Sequence, residues 1–412
     1  MTHPSLRGIL NLTVFVAALG YFVDMFDLLL FPIVRQSSLA SLGFPPGEAQ
    51  ISVGAFLLNA QMAGMLLGGI FWGVLGDRRG RLSTLFGSIA LYSVANIANA
   101  FVTGIPSYAF WRFLAGLGLA GELGAAVTLV SEVLPKDLRG YGTAVVASVG
   151  VFGTVTAALV GRFLTWQHAY LLGGCLGLVL LGLRLGIRES LMFQKSETPA
   201  SGTLKRGDFL SLFTSWNRFG RYLRCILIGL PLWFMMGILV LFAPEFAPHL
   251  RVVGKIQPGL AIAFFYSGAT VGSLVSGFLS QALGSRTKVV GFCIAASLLG
   301  VTVFLLGRGF SPFGLYVLLA IMGMTGGYWA VYVTMAAEQF GTNLRATVAT
   351  TVPNFLRGSV VLITSGFLLL KPMLGLLGAA WVVGFACFAL AAFSLAGLEE
   401  THGRDLDFME RE

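Results

Sequence analysis

The chain has 412 residues, of which 56% are hydrophobic and only 11% are charged, and its mean hydropathy is +0.84. Soluble domains carry about 25% charged residues, so this composition excludes a soluble protein and indicates an integral membrane protein. The formal net charge of +9 does not indicate nucleic-acid binding, because the basic residues are distributed among the links between apolar runs.

Apolar runs of roughly 20 residues, the length that crosses a bilayer as a helix, recur about twelve times along the chain. We therefore predict an all-α membrane protein with twelve transmembrane helices, called spans 1 to 12, in two pseudo-symmetric six-helix bundles. The predicted bundles are residues 1–187 and 221–396, with a cytoplasmic linker at 188–220 and a cytoplasmic tail at 397–412. The predicted spans are 9–33, 51–76, 82–104, 106–131, 141–165, 167–187, 221–247, 258–284, 288–308, 312–339, 346–370 and 374–396.

Span 1 contains two acidic residues, Asp24 and Asp27, where the bilayer core is expected. They interrupt the apolar run that follows Arg7, and no small-residue cleavage site comes after it. We therefore interpret span 1 as a retained helix rather than a signal peptide. The two acids are three residues apart and share one helix face. Two buried carboxylates this close hold a proton more tightly than one alone, which predicts a proton-coupling site.

The link between spans 2 and 3 places four charges and three glycines within residues 73–81. Charges cannot rest in hydrocarbon, so this link lies at a membrane surface. An alternative to a functional role is a basic loop that only fixes the topology. The candidate gating residues in this link are Gly73, Asp77, Arg78, Gly80 and Arg81.

Span 4 carries two further intramembrane charges, Arg112 and Glu122. Counted from the external ends of their spans, Arg112 and Asp27 both lie about 10 Å deep, so the guanidinium can pair with the carboxylate and tune it. Glu122 lies about 15 Å further inward, and we expect it to titrate with the two aspartates along a proton path. The alternative is a permanent Asp27–Arg112 salt bridge, with Glu122 satisfied by a neighbouring hydroxyl.

Residues 128–139 and 334–345 repeat one pattern at an offset of 206 residues, which predicts two related halves. In both copies a glutamate ends one span and an arginine begins the next. We expect these charges to form cytoplasmic ion pairs that break and re-form during transport. The alternative is ordinary surface pairing, which contributes little stability. The four candidate gating residues are Glu132, Arg139, Glu338 and Arg345.

Span 11 carries Arg357 twelve residues beyond Arg345, about 18 Å along a helix and so near the centre of the bilayer. No acid in the C-terminal spans stands ready to neutralise it. A guanidinium without a resident anion is suited to bidentate binding of a substrate carboxylate. Asn354 lies three residues earlier on the same face and can add a hydrogen bond. The alternative is pairing of Arg357 with an acid of the N-terminal half.

Aromatic residues in the second half correspond to acids in the first. At the 206-residue offset Trp233 replaces Asp27, and Tyr328 replaces Glu122. The alternative for any single ring is packing or contact with lipid. We predict that the substrate cavity is lined by four rings, those of Trp233, Tyr266, Tyr328 and Trp329.

The distribution of Lys and Arg predicts that both termini are cytoplasmic. With the amino terminus inside, six of the 27 basic residues fall on the external side, among them Arg35 and Lys371. Two lie within spans, and the remaining 19 fall on the internal side. This asymmetry is the positive-inside pattern.

The four cysteines all fall within apolar spans, and no Cys/His spacing typical of a metal site is present. The four histidines lie at span edges or in the tails, so no intramembrane catalytic set is present either. We therefore predict no catalytic residues, no metal and no cofactor. A sensor would need a soluble output domain, for which twelve spans leave no room.

Two motifs resemble those of a known transporter superfamily. The spacing Gly-x-x-x-Asp-Arg-x-Gly-Arg in residues 73–81 resembles the signature loop between helices 2 and 3 of major facilitator superfamily transporters, which implies a gating role for Asp77. The ending at residues 400–406 resembles the Glu-Thr-x-Gly ending of sugar and metabolite porters.

Within that superfamily the intramembrane motifs are similar to those of the aromatic acid:proton symporters. The runs Asp24-Met25-Phe26-Asp27 and 112–121 resemble helices 1 and 4 of that family. The separation of Arg345 and Arg357 is similar to its helix 11, in which the resemblance implies that the Arg faces substrate. Glu122 departs from this pattern and is more similar to the metabolite:proton and phosphate:proton symporters.

These observations predict a secondary active symporter that moves a small organic anion, an aromatic or aliphatic carboxylate, together with protons. The expected mechanism is rocker-switch alternating access by a monomer in the inner membrane, with no nucleic-acid partner. The alternative within the superfamily is a porter for a sugar or another neutral metabolite. It ranks lower because sugar sites need many amides and the C-terminal spans contain few Asn and Gln.

Overall fold

The structure is a computed structural model that describes residues 12–79, 81–133, 139–184, 209–403 and 409–410. These residues form helices joined by short turns, and no strand occurs among them. The predicted all-α fold with twelve helices in the membrane is confirmed. Seven helices in the described ranges are long and apolar enough to cross a membrane by length and composition alone.

The chain divides into two compact units. Unit 1 comprises residues 1–43 and 63–202, and unit 2 comprises residues 44–62 and 203–412. Helix α2 contributes to both units. The helices of the first six spans are α1 (Leu12–Ser41), α2 (Glu48–Arg79), α3 (Arg81–Asn99), α4 (Ile105–Val133), α5 (Arg139–Phe163) and α6 (Trp166–Arg184).

Unit 1 is built by tight helix pairs, in which α1 packs on α5 and α3 packs between α4 and α6. Helix α2 approaches α4 closely because Gly64 and Gly68 face the backbone carbonyls of Phe113 and Leu117. A side chain at either glycine would overlap those carbonyls, so the small residues set the interhelical distance.

Helix α1 is longer than predicted, since it ends at Ser41 rather than at residue 33. Arg35, which the charge count places on the external side, is buried within this helix. The loop after span 1 thus begins later than predicted, because hydropathy does not mark where a helix continues beyond its apolar run. The side of the membrane on which Arg35 lies stays a prediction.

Unit 2 contains the helices of the last six spans, several of which are divided. A 3₁₀ turn at Phe209–Phe213 precedes them. They are α7 (Trp216–Leu227), α8 (Leu230–Phe234), a π-helical segment (Met235–Val240), α9 (Ala243–His249), α10 (Pro258–Ala282), α11 (Arg286–Leu306), α12 (Pro312–Gly326), α13 (Trp329–Glu338) and α14 (Thr342–Ala396).

Spans 7 and 10, each predicted as one continuous helix, are interrupted. Span 7 breaks at Ile228 and Gly229, next to Pro231, which has no N–H group for a helical hydrogen bond. Span 10 breaks at Gly327, beside a second glycine that lowers helix propensity. Spans 11 and 12 are joined instead, because α14 runs through both with a kink at Gly375, whose φ is +70°.

Residues 44–62 are held in unit 2 by two contacts with α14. Lys371 forms an ion pair with Glu48, and the hydroxyl of Thr364 donates a hydrogen bond to the amide oxygen of Asn59. Lys371 is thus mostly buried in a helix rather than placed in a loop. The division into bundles at residues 187 and 221 stays a prediction, and much of its linker lies outside the described residues.

Candidate functional site

The acid pair of span 1 is fully buried in unit 1. Asp24 and Asp27 lie on one face of α1, and neither is exposed. Helix α6 passes so close to Asp27 that a side chain at Gly173 would overlap the carboxylate. The small residue in α6 therefore makes room for an acid in α1.

The structure brings Arg112 into the neighbourhood of Asp27, as their depths predicted. The guanidinium interacts electrostatically with the carboxylate, and Asn96 lies beside it. The same guanidinium stacks 5.1 Å from the ring centroid of Phe31 and 5.7 Å from that of Tyr170. Neither oxygen of Asp27 accepts a hydrogen bond within the described residues. The buried Asp27 carboxylate is thus attracted by the positive charge of Arg112, but its oxygens still have unused capacity to accept hydrogen bonds.

Glu122 has a partner that the sequence analysis did not identify. Arg184, at the end of α6, donates two hydrogen bonds to its two carboxylate oxygens, one of them of 3.0 Å. Glu122 is fully buried and Arg184 is 2% exposed. Gly20 of α1 leaves the space for both groups. This bidentate ion pair replaces the hydroxyl partner considered above.

Tyr92 of α3 is a second residue that sequence analysis missed. It is fully buried, and its hydroxyl interacts electrostatically with both Glu122 and Asp27. This hydroxyl makes no hydrogen bond within the described residues. From the sequence alone, a single tyrosine in an apolar span cannot be predicted to lie near two buried acids.

Arg357 is buried in unit 2 on α14, with 2% of its surface exposed. Its Nε and Nη1 atoms have no hydrogen-bond partner in the described part of the chain, and no acid there forms an ion pair with it. Asn354 is also buried, and its amide nitrogen donates to the backbone oxygen of Thr350 at 3.2 Å. The guanidinium therefore keeps free donors in an interior position, which is where an incoming anion is bound most strongly.

Trp233 lies at the level of Arg357. Gly229 contacts Leu356 and Gly237 faces Val360, so the intervening Trp233 is level with this part of α14. Its indole Nε1 is buried and has no hydrogen-bond partner among the described residues. Trp233 thus offers an apolar face and an unused donor.

The other predicted cavity rings make different contacts. The hydroxyl of Tyr328 donates a 3.0 Å hydrogen bond to the carbonyl of Ile228. Trp329 packs on Tyr332 with ring centroids 5.7 Å apart, and Tyr266 packs on Phe265 at 5.8 Å. Tyr332, which was not among the predicted residues, is fully buried and its hydroxyl has no partner in the described residues.

The hydrogen bond of Tyr328 connects the two helix breaks of unit 2. Ile228 is the residue that follows α7, and its carbonyl is one of those that a helix end leaves unsatisfied. Tyr328 precedes α13 at the break in span 10. The Tyr328 side chain, at the break in span 10, therefore satisfies a backbone carbonyl that the break in span 7 leaves without a helical partner.

The predicted gating residues are only partly within the described residues. Gly73 lies in α2, with open space around its Cα. Glu338, at the end of α13, forms an ion pair with Arg286 at the start of α11, and Arg345 lies half-buried near the start of α14. The side chains of the other candidates, Asp77, Arg78, Gly80, Arg81, Glu132 and Arg139, lie outside the described residues.

The C-terminal segment whose sequence resembles the ending of sugar and metabolite porters is hydrogen-bonded through Glu400 to the start of α11. The carboxylate of Glu400 accepts hydrogen bonds from the backbone N–H of Arg286 at 3.0 Å and of Thr287 at 3.2 Å. Hydroxyls of Ser285 and Thr287 also donate to it. Burial alone raises the pKa of Glu400, but these hydrogen bonds outweigh it and hold the pKa well below its usual range.

Within the described residues, no group of three or more His, Cys, Asp or Glu side chains is placed to hold a metal ion. The four cysteines are free, with Cys175 exposed and the other three buried.

The chain is similar to membrane transporters over most of its length. The family described as Major Facilitator Superfamily matches residues 10–363. The niacin transporter NiaP of Acinetobacter baylyi is 26% identical over 80% of this chain and 80% of that protein. The 3-(3-hydroxy-phenyl)propionate transporter of Escherichia coli is 27% identical over 83% of this chain and 82% of that protein. A solved D-xylose-proton symporter has a TM-score of 0.69 at 16% identity, covering 95% of this chain and 99% of that one.

Proposed function

The chain belongs to the major facilitator superfamily and is a multi-pass membrane transporter rather than an enzyme, and on that premise we propose that it is a proton-coupled symporter of a small organic anion. The proposed cargo is an aromatic or aliphatic carboxylate. The proposed mechanism is alternating access by a monomer of the inner membrane, with both termini in the cytoplasm.

The observation that carries the proposal is the state of Arg357. Its guanidinium is buried, makes no ion pair in the described residues and keeps two nitrogen atoms without hydrogen bonds. A buried unpaired charge is costly, and a bound carboxylate removes that cost through bidentate hydrogen bonds. A neutral sugar would leave the charge uncompensated, so the neutral-metabolite alternative is disfavoured.

The aromatic character of the proposed cargo rests on Trp233 and on the relatives. The indole at the level of Arg357 provides a flat apolar surface, on which a ring attached to a carboxylate can stack. The relatives named above are a niacin transporter and a transporter of a hydroxyphenyl propionate, and we extend that substrate class to this chain. Asn354 is the proposed second polar contact, whereas Tyr266, Tyr328 and Trp329 shape the surrounding wall.

Proton coupling is assigned to the buried acids of unit 1. Asp27 is the proposed carrier, because its oxygens accept no hydrogen bond in the described residues and a proton relieves the cost of a buried charge. Arg112 and Asp24 modulate it through their charges. Glu122 was expected to titrate as well, but Arg184 already supplies its positive charge. We therefore propose that Glu122 and Arg184 form a structural ion pair and do not carry the transported proton.

The experiment that tests this function is a binding measurement on Arg357→Gln. Purified protein is first screened for thermal stabilisation by carboxylates, sugars and amino acids, and the affinity for the best carboxylate is measured by calorimetry. We expect Arg357→Gln to weaken binding about 10- to 100-fold, the loss expected for hydrogen bonds to a charged group.

The matched control is Arg308→Gln, which removes an Arg whose hydrogen bonds to the described residues go to the carbonyls of Leu305 and Gly307 at the end of α11. It is expected to retain wild-type affinity. Unchanged carboxylate affinity in Arg357→Gln, or stabilisation by sugars alone, would refute the organic-anion assignment.

A further inference from the structure

Three buried hydroxyl groups in unit 1 are hydrogen-bonded in series near Arg112. The hydroxyls of Tyr108 in α4 and Tyr170 in α6 lie 2.7 Å apart. The Tyr108 hydroxyl donates to Oγ of Ser38 at 3.3 Å, and Ser38 in turn donates to the carbonyl of Arg35, one turn earlier in α1, at 3.1 Å. None of the three hydroxyl-bearing residues is exposed. Ser38, Tyr108 and Tyr170 thus form a chain of hydroxyls, called the hydroxyl chain, that is shielded from solvent.

Helical spacing brings the hydroxyl chain close to the proposed proton carrier. Tyr108 and Arg112 are four residues apart in α4, so their side chains project from one face of that helix. In α6, Tyr170 lies three residues before Gly173, the glycine that makes room for the Asp27 carboxylate. The hydroxyl chain therefore ends about one helical turn from Asp27.

The donors of the hydroxyl chain all point in one direction. A hydroxyl has a single hydrogen to donate. The hydrogen of Ser38 goes to a backbone carbonyl and that of Tyr108 goes to Ser38, so Tyr170 donates to Tyr108 across the 2.7 Å contact. The oxygen of Tyr170 keeps its lone pairs for another donor. The guanidinium of Arg112, which can only donate, interacts with this oxygen.

Aromatic packing fixes the Tyr108 side chain independently of Arg112. Its ring packs edge-to-face on Phe31 with centroids 5.8 Å apart, and it stacks on Trp166 at 6.3 Å. Phe31 and Tyr170 are also the two rings over which the guanidinium of Arg112 lies. The hydroxyl chain is therefore a rigid acceptor, because its rings and its hydroxyls are held by separate contacts.

Charged and titratable groups face Asp27 from four helices. They are Asp24 in α1, Tyr92 in α3, Arg112 in α4 and Tyr170 in α6. In α5 the only charged residues are Arg139 and Arg162, at its two ends. The nearby Glu122–Arg184 pair is neutral overall. The only cation among the four facing groups is the guanidinium, so its position relative to the carboxylate determines how easily a proton binds there.

We propose that Tyr170, held by Tyr108 and Ser38, is a positioning residue of the proton site. Its oxygen accepts a hydrogen bond from Arg112 and so draws part of the guanidinium away from Asp27. The carboxylate then stays free to bind and release a proton, and its oxygens indeed accept no hydrogen bond within the described residues. This inference rests on the proposed function, in which Asp27 carries the proton.

The test is the pH dependence of carboxylate uptake into proteoliposomes by Tyr170→Phe. Phenylalanine keeps the ring beside Arg112 but removes the oxygen. The guanidinium then turns its donors to Asp27 and favours the charged carboxylate, so uptake requires more protons. We expect the pH of half-maximal uptake to fall by about one unit, a tenfold higher proton concentration, which is the effect of one hydrogen bond to a charged group.

Tyr108→Phe tests whether the hydroxyl chain acts as a unit. It leaves Tyr170 in place but removes the acceptor that orients its hydroxyl, so we expect a smaller shift in the same direction. The double variant Tyr108→Phe/Tyr170→Phe should shift no further than Tyr170→Phe alone, because both changes act through one contact with Arg112.

The control is Tyr316→Phe, which removes a hydroxyl of unit 2 that accepts a 2.8 Å hydrogen bond from the backbone N–H of Gln257. It is expected to keep the wild-type pH profile. Exchange of labelled for unlabelled substrate, which needs no net proton movement, confirms that each variant is folded and binds its cargo. An unchanged midpoint in Tyr170→Phe, a shift to higher pH, or additive shifts in the double variant would overturn the positioning role.

Failure of this inference is distinguishable from failure of the proposed function. Loss of gradient-driven accumulation in Asp27→Asn, together with a wild-type pH profile in Tyr170→Phe, would reject the positioning role alone. Accumulation that survives in Asp27→Asn would instead reject Asp27 as the proton carrier, and the role of Tyr170 with it.

Discussion

Two buried carboxylates in unit 1 differ in what surrounds them. Glu122 is held by both arms of the Arg184 guanidinium, whereas Asp27 is influenced by Arg112 without receiving a hydrogen bond in the described residues. Loss of one partner of a buried ion pair costs proteins about 3–5 kcal/mol. The Glu122–Arg184 pair is therefore suited to hold helices α4 and α6 together, and the less constrained Asp27 is suited to exchange a proton.

This difference leads to a prediction for Asp27→Asn. The amide keeps the shape of the side chain but cannot bind and release a proton, so a pH gradient can no longer drive uptake. In proteoliposomes we expect accumulation of the carboxylate to fall to the level reached without a gradient, while exchange of labelled for unlabelled substrate continues.

The comparison variant is Glu399→Gln, which neutralises an exposed acid after the end of α14 and is expected to accumulate substrate normally. Gradient-driven accumulation that survives intact in Asp27→Asn would remove Asp27 from the coupling mechanism.

Helix ends and breaks concentrate the polar contacts of unit 2. The breaks in spans 7 and 10 leave backbone groups without helical partners, and the Tyr328 hydroxyl satisfies one of them at Ile228. A π-helical segment follows directly, at Met235–Val240. Such segments are frequent at functional sites, and this one comes just after Trp233. In span 7 the irregular backbone therefore lies on both sides of Trp233.

Another helix end is capped by the tail, which leads to a pH prediction. Hydrogen bonds from α11 favour the charged form of Glu400 and lower its pKa. A lowered pKa in the folded state stabilises the protein above the ordinary pKa of about 4.3. That contribution is lost as the pH falls below this value towards the lowered pKa.

The measurement is the unfolding temperature of the wild type and of Glu400→Gln across this range. At pH 7 we expect Glu400→Gln to unfold about 2 °C lower, in line with a weakened cap at a partly exposed site. The difference should shrink as the pH falls below about 4.3. A difference that stays constant with pH would mean that the Glu400 charge does not stabilise the fold.

At the scale of the whole molecule, the two units carry complementary chemistry. Unit 1 buries the acids Asp24, Asp27 and Glu122, and unit 2 buries Arg357. Charges in a membrane interior are costly and are retained where they function. The proposed division places proton binding in one unit and anion binding in the other.

We propose from the loop charges that both termini are cytoplasmic, and this orientation can be measured. In a background without native cysteines, we expect Leu164→Cys, between α5 and α6, to react with an impermeant maleimide in intact cells. His402→Cys, in the tail, should react only after permeabilisation. Labelling with the two positions reversed would place both termini outside.

Much of the site could be anticipated because charge in hydrocarbon is conspicuous. Asp24, Asp27, Arg112 and Arg357 were recognised from their depth in apolar runs alone, and all four are buried in the structure. Arg184 was not recognised, because it lies where an apolar run ends and there resembles a topology-setting residue. Local composition does not tell an Arg that forms a buried ion pair from an Arg that only sets the topology. The difference depends on which helix packs beside the Arg.

The sequence by itself determined the membrane class, the twelve spans and the intramembrane charges, because hydropathy and helical rise act over a few turns of one helix. Only the tertiary structure decided the partners: Arg184 for Glu122, Ile228 for Tyr328, and α11 for Glu400. These partners are 62 to 114 residues apart in the chain. Such contacts depend on how each helix is rotated and where it breaks, which is set by packing against its neighbours.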